Sequence, residues 1–203
     1  MTSRDIRICF IGDSFVAGTG DPEGLGWVGR VAAAALARGH NLTAYNLGIR
    51  RETSTDIRRR WRQECEPRAL PEVDTRVVFS FGANDTALDN GRRHLKLEQS
   101  LANARVLLKE ARAHYPTLLI GPPPVADTAH DERIGELSRG LAVVARQENL
   151  PYLDVFTPLR TSALWRQEVI ANDGSHPRSG GYRELAALVM NWPTWWFYQP
   201  CAT

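Results

Sequence analysis

The sequence predicts a doubly wound α/β domain, and three observations carry that reading. Short apolar runs alternate with amphipathic helical stretches five times over. The clearest runs, Ile6–Ile11, Arg76–Phe81 ("RVVFSF") and Thr117–Ile120, are nearly continuous in apolar residues, the mark of strands buried on both faces of a parallel sheet. Each ends abruptly at glycine or a polar turn, and right-handed crossovers then confine the topology to helices on both sides of the sheet.

The elements follow in order. Ile6–Ile11 is the first strand. Trp27–Arg38 is helical, with Val28, Val31 and Ala35 on one side. Leu42–Leu47 is a second, weaker strand. Ser54–Glu66 places Ile57, Trp61 and Cys65 four apart, a helical stripe. Arg76–Phe81 is the third strand. Lys96–His114 carries Leu97, Leu101, Ala104, Leu108 and Ala111 at helical spacing. Thr117–Ile120 is the fourth strand, stopped by "GPPP". Ile134, Leu137, Leu141 and Val144 mark the next helix, Tyr152–Phe156 the fifth strand, and Tyr182–Met190 the last helix. No repeat or long linker divides the chain, so residues 1–203 are read as one domain.

Composition excludes several function classes. The net charge of +2 is too small to argue for nucleic acid or an anionic membrane surface. Lys96 and Lys109 are the only lysines, so 23 of the 25 basic residues are arginine (25 minus 2). Cys9, Cys65 and Cys201 do not make a disulfide framework. No leader pattern opens the chain and no apolar run approaches the ~18 residues of a membrane helix. The expected setting is therefore the reducing cytoplasm, without a membrane span.

In a doubly wound sheet, ligands bind beyond the carboxyl ends of the strands. The residues found there are Gly12-Asp13-Ser14, Asn46-Leu47-Gly48, Gly82-Ala83-Asn84-Asp85 and, nearer the C-terminus, Asp173-Gly174-Ser175-His176-Pro177. Each fits a task in acyl transfer. A serine hydroxyl becomes a nucleophile when a base takes its proton. His176 can act as that base, and Asp173, three residues earlier, can hold its other ring nitrogen. The backbone N–H groups of Ser14 and Gly48 and the Asn84 carboxamide are candidate oxyanion donors.

The set "GDS", "NLG", "GAND" and "DGSHP", in that order from Gly12 to Pro177, resembles the SGNH hydrolases, also called the GDSL family. The resemblance implies a flavodoxin-like three-layer α/β/α sandwich of about five parallel strands, with no metal and no cofactor. It implies Ser14 as nucleophile, His176 as base, Asp173 as orienting acid, and Ser14, Gly48 and Asn84 as the oxyanion hole. The family includes esterases, lysophospholipases, thioesterases and carbohydrate deacetylases. A serine esterase or lipase-like acylhydrolase acting on a small ester is the expected activity. A carbohydrate O-deacetylase or thioesterase on the same triad is the alternative, and a non-catalytic binding domain the more distant one.

Two departures bear on substrate. Phe15 follows "GDS" where the family often has Leu. Arg50 and Arg51 stand where it usually has small residues. On extended backbone, adjacent side chains point opposite ways, so one Arg is expected to face the cleft, where it would favour an anionic substrate. Asp13 and Asp85 read as loop-holding residues. His40, His94, His114 and His130 read as solvated, without metal-ligand spacing. "GLGWVG" (Gly24–Gly29) matches a dinucleotide fingerprint, but about a dozen residues too late after the first strand, so no nucleotide is expected. The tail "NWPTWWFYQP" reads as an apolar cap on the sandwich, or as an exposed patch for a homo-oligomer.

Overall fold

The computed structural model describes residues 4–200. Seven residues, Ile6–Gly12, form β1, which pairs in parallel with β2 (Leu42–Gly48) on one side and β3 (Asp74–Ser80) on the other. β6 (Thr117–Ile120) follows β3, and β7 (Tyr152–Leu153) closes the far edge. The order β2-β1-β3-β6-β7 is the flavodoxin-like arrangement of an all-parallel five-stranded sheet.

Strand pleating sends successive side chains to opposite faces, and this divides the core in two. Ile8 and Phe10 of β1 point to one side, with Val78, Leu118 and Ile120. There they meet α2 (Gly26–Ala37), α7 (Ala163–Ala171) and α8 (Ser179–Met190) through Trp27, Val31, Trp165, Tyr182 and Leu185. Cys9 and Ile11 point to the other side, with Val77 and Phe79. That side is covered by α3 (Ser54–Cys65), α4 (Leu97–Arg112) and α5 (Thr128–Gln147), through Trp61, Leu107, Leu108 and Leu141. The result is helix, sheet, helix: three layers.

The expected elements recur with shifted ends. The fifth strand stops at Leu153 because Asp154 turns its carboxylate back onto the Thr157 N–H and hydroxyl, starting α6 (Phe156–Thr161). Two features were not anticipated. One is a small hairpin, β4 (Leu88–Asp89) and β5 (Arg92–Arg93), turned at Asn90-Gly91. The other is the full length of α7, capped by the Ser162 hydroxyl accepting from the Trp165 N–H.

The aromatic tail caps the sandwich. Trp195 and Phe197 are buried, Trp195 against Phe10 of β1 and Phe197 against the His40 ring at 4.6 Å. The Arg76 guanidinium lies 5.0 Å over the Trp196 ring. His40, expected to be solvated, is half-exposed and packs one side against the Phe197 ring. Cys9 and Cys65 are free thiols buried side by side in one core cluster, and Cys201 lies outside the described residues.

Candidate active site

β1 delivers Ser14 to the sheet edge through a tight turn. Asp13 accepts the Phe15 N–H at 3.0 Å and its carbonyl accepts from Ala17, so Ser14 opens the short helix α1 (Ser14–Ala17). The Ser14 N–H thus lies among the donors that a helix start leaves free. Directly behind it comes the end of β2. A Cβ on Gly48 would lie 2.2 Å from the Ala17 nitrogen and 2.8 Å from the Asp13 carbonyl oxygen, so only glycine lets the two backbones approach this closely.

His176 reaches Ser14 from the other end of the chain, 162 residues away. The loop between α7 and α8 turns at Gly174, whose φ of +79° suits glycine. Asp173 then organises it: Oδ1 accepts the N–H groups of Ser175 (2.9 Å) and His176 (2.8 Å), and Oδ2 lies 2.7 Å from His176 Nδ1. A carboxylate only accepts, so the proton sits on Nδ1 and the Nε2 lone pair faces outward. Ser14 Oγ is 2.7 Å from that Nε2 and donates to it. Partial burial acts to raise the Asp173 carboxyl, but the two loop amides and the imidazole outweigh it and hold it at about 2. The His176 ring packs on Phe15 (5.0 Å), which stacks on Trp165, whose indole N–H donates to the Pro124 carbonyl at 3.0 Å. The geometry brings Ser14, His176 and Asp173 into one hydrogen-bonded line.

Gly48 and Asn84 lie on the turns that end β2 and follow β3. Asn84 is half-buried, and its Nδ2 donates one proton to the Glu52 carbonyl at 3.0 Å, which leaves the second free. The Gly48 N–H donates to the side-chain oxygen of Asn46 at 3.1 Å, while Asn46 Nδ2 donates to the Val16 carbonyl at 2.8 Å. Sequence reasoning gave Asn46 no role; here it ties the end of β2 to α1.

Carboxylates gather beneath the turns. Burial pushes Asp13 up to about 7 against the pull of the Phe15 N–H. Burial also raises Asp85, whose Oδ1 accepts the Ser54 N–H at 2.7 Å, against the pull of the Ser54 and Ser100 hydroxyls. These bonds are the loop-holding role expected of both. Burial lifts Glu52 as well, and Arg60 opposes it. His130 is not solvated: its Nε2 contacts the Ala83 carbonyl (2.9 Å) and the Thr86 hydroxyl (3.1 Å), bracing the Asn84 turn, and burial lowers its pKa.

Arg50 and Arg51 are exposed, and neither makes an ion pair among the described residues. The nearby acids are taken, Glu52 by Arg60 and Asp56 by Arg59. The backbone here is a turn with Arg51 at φ +68°, not an extended strand, so the premise that the two side chains must diverge fails. At "GLGWVG", the Asp21 carboxylate takes the N–H groups of Leu25 and Gly26, the donors a phosphate would need. Among the described residues, no group of three or more His, Cys, Asp or Glu is placed to hold a metal ion, and no helix is long and apolar enough to cross a membrane.

The chain is 21% identical over 179 residues to the uncharacterized protein YpmR of Bacillus subtilis, and spans 62% of that relative's length against 86% of its own. Its fold superposes on a lipase/acylhydrolase from Enterococcus faecalis with a TM-score of 0.75 and 28% identity, covering 90% of this chain and 92% of that one. It also superposes on Axe2, an acetylxylan esterase from Geobacillus stearothermophilus, with a TM-score of 0.78 and 20% identity over 98% of both chains. The family model described as GDSL-like Lipase/Acylhydrolase matches residues 10–184, from the middle of β1 to the middle of α8, and the chain belongs to that family.

Proposed function

We propose that the chain hydrolyses carboxylic esters through an acyl-enzyme on Ser14. The observation that carries this reading is the continuous hydrogen-bonded line from Ser14 Oγ through His176 to Asp173, with 2.7 Å at each link. Ser14 Oγ attacks the acyl carbon as its proton passes to His176 Nε2. Asp173 stabilises the imidazolium so formed. The carbonyl oxygen becomes an oxyanion, met by the Ser14 N–H, the free Asn84 Nδ2 proton and the Gly48 N–H, the last shared with Asn46. Collapse returns the proton from Nε2 to the leaving alcohol oxygen. Water, deprotonated by the same nitrogen, then attacks the acyl carbon, and the acid leaves as Ser14 recovers its proton.

The first reading is a small-ester esterase or lipase-like acylhydrolase. Removal of an acetyl group from a carbohydrate is the second, and the likeness to Axe2 favours it. The variants of that enzyme described as catalytic mutants replace a serine, an aspartate and a histidine, the last two three residues apart like Asp173 and His176. Arg50 and Arg51, exposed and unpaired, would favour substrates with an anionic group away from the scissile bond. The two buried free thiols suit a cytoplasmic setting.

A fluorophosphonate probe tests the chemistry. It should label Ser14 in the wild type and leave Ser14→Ala and His176→Ala unlabelled. Absence of wild-type labelling would favour a non-catalytic binding domain. A panel of p-nitrophenyl esters, acetylated xylooligosaccharides and acyl-CoA then separates the substrate readings.

A further inference from the structure

We propose that Arg60 is a positioning residue for the oxyanion hole, an inference that rests on the acyl-transfer reading above. Arg60 lies on α3, and its side chain is only 14% exposed. Its Nη2 donates to the Leu47 carbonyl at 2.9 Å and to the Gly12 carbonyl at 3.1 Å. Its Nε donates to Glu52 Oε2 at 2.6 Å, and Nη1 pairs with Glu64 at 2.9 Å. A single planar guanidinium thus holds the last turns of β1 and β2 together, and through Glu52 it holds a third segment.

Three of these contacts bear on a proposed donor. The Leu47 C=O and the Gly48 N–H belong to one trans peptide plane and point in opposite directions. Fixing the oxygen therefore fixes the direction of the hydrogen, and a positive charge on the oxygen makes that N–H a stronger donor. The Gly12 carbonyl, which also accepts from the Ile49 N–H, closes the strand that presents Ser14. The Glu52 side chain is held by Arg60 while the Glu52 carbonyl accepts from Asn84 Nδ2. Lysine could replace this fork only in part, because an ammonium keeps the charge but cannot span two strand ends and a carboxylate in one plane.

The test is steady-state kinetics on p-nitrophenyl acetate with Arg60→Met and Arg60→Lys, beside inhibition by phenylboronic acid, whose serine adduct mimics the tetrahedral oxyanion. Losing one oxyanion donor outright costs roughly 10²–10³ in kcat, so misaiming donors should cost about 10- to 100-fold. KM should stay within about threefold, and the boronic acid should weaken in parallel with kcat/KM. Arg60→Lys should recover part of the loss. Arg60→Met should also cost less on an Asn84→Ala background than alone, since one donor it aims is then gone. A folded Arg60→Met with wild-type kcat, or with a raised KM and unchanged kcat, overturns the proposal, as does full additivity with Asn84→Ala. If Arg60→Met does not fold, Glu52→Gln replaces it: the Glu52 main chain stays, the ion pair goes, and kcat should fall about 3- to 10-fold, with an unchanged kcat overturning the proposal. Failure of the underlying reading is distinguishable, because wild-type Ser14 would then resist fluorophosphonate.

Discussion

Replacing Asp173 by Asn tests the proton logic of the site with almost no change of shape. The Asn side-chain oxygen can keep the two bonds from the Ser175 and His176 amides, at 2.9 and 2.8 Å, so the loop should hold. The remaining group becomes an NH₂ facing His176 Nδ1. It can only donate, so the imidazole turns to the tautomer with its proton on Nε2. Nε2 then faces the Ser14 hydroxyl as a donor and cannot take its proton. Restoring the working tautomer sets two donors against each other, at a cost of about 1–3 kcal/mol. Loss of the charge-assisted bond to the imidazolium removes another ~1.5–3 kcal/mol. The sum, about 2.5–6 kcal/mol, is roughly 10²–10⁴ in rate. The Asp173 side chain is 43% exposed, so water screens part of the charge term, and about 10³ is the expected loss. The assay is kcat and KM on p-nitrophenyl acetate, with KM unchanged. An Asn variant within tenfold of wild-type kcat, beside an inactive Ser14→Ala, would refute the claim that Asp173 sets the tautomer.

Asn84→Ala should lower kcat about a hundredfold, on the order of 3 kcal/mol, with KM little changed; a normal kcat with a raised KM would move Asn84 into ordinary substrate binding. Replacing Arg50 or Arg51 by Gln should erase any preference for anionic over neutral esters of matched acyl length, a preference worth ~1 kcal/mol that fades with salt; a wild type without it at low salt removes the anionic-substrate reading. Asp13 has a folded pKa of about 7 against an ordinary 3.8, so the folded chain keeps a proton that the unfolded chain loses. Its ionisation therefore lowers stability as pH rises from about 4 to about 7, the cost being complete above that range. Asp13→Asn keeps the bond from Phe15 and should gain more in Tm at pH 8 than at pH 5; Asp85 and Glu52, also raised, leave a residual slope. Equal gains at both pH values would disprove the burial of a titrating Asp13.

The sheet was legible in the sequence because β1, β6 and the second half of β3 are nearly unbroken apolar runs, and only strands covered on both faces need that. The proposed Ser14–His176–Asp173 line was legible because two of its parts leave local marks: Asp173 reaches His176 within one turn, and Ser14 sits at an abrupt strand end. The hairpin at Asn90-Gly91 carried a turn signal, but its strands are too short to show alternation. Arg60 was hidden among the arginines of "IRRRWR". It lies beside Trp61 at the edge of the buried stripe, and nothing nearby says that it turns under the strand ends while Arg59 stays outside. Asn46 and His130 were missed for the same reason: their partners are set by tertiary approach, not by spacing. The Arg50–Arg51 inference assumed extended backbone, and Arg51 in the left-handed region removed the assumption.

The bond between Ser14 and His176 spans 162 residues. Between them the chain must lay down four of the five strands of the main sheet and every helix from α2 to α7. Few of those elements can be misplaced by an ångström without separating an oxygen from a nitrogen that must meet within hydrogen-bond reach. Turnover is therefore a sensitive gauge of the whole architecture. In a heating or denaturant series, activity should vanish together with the global transition or ahead of it, and a fragment lacking either end should hydrolyse nothing until its complement is added back. For anyone screening variants, a simple chromogenic ester would report on folding as directly as on chemistry.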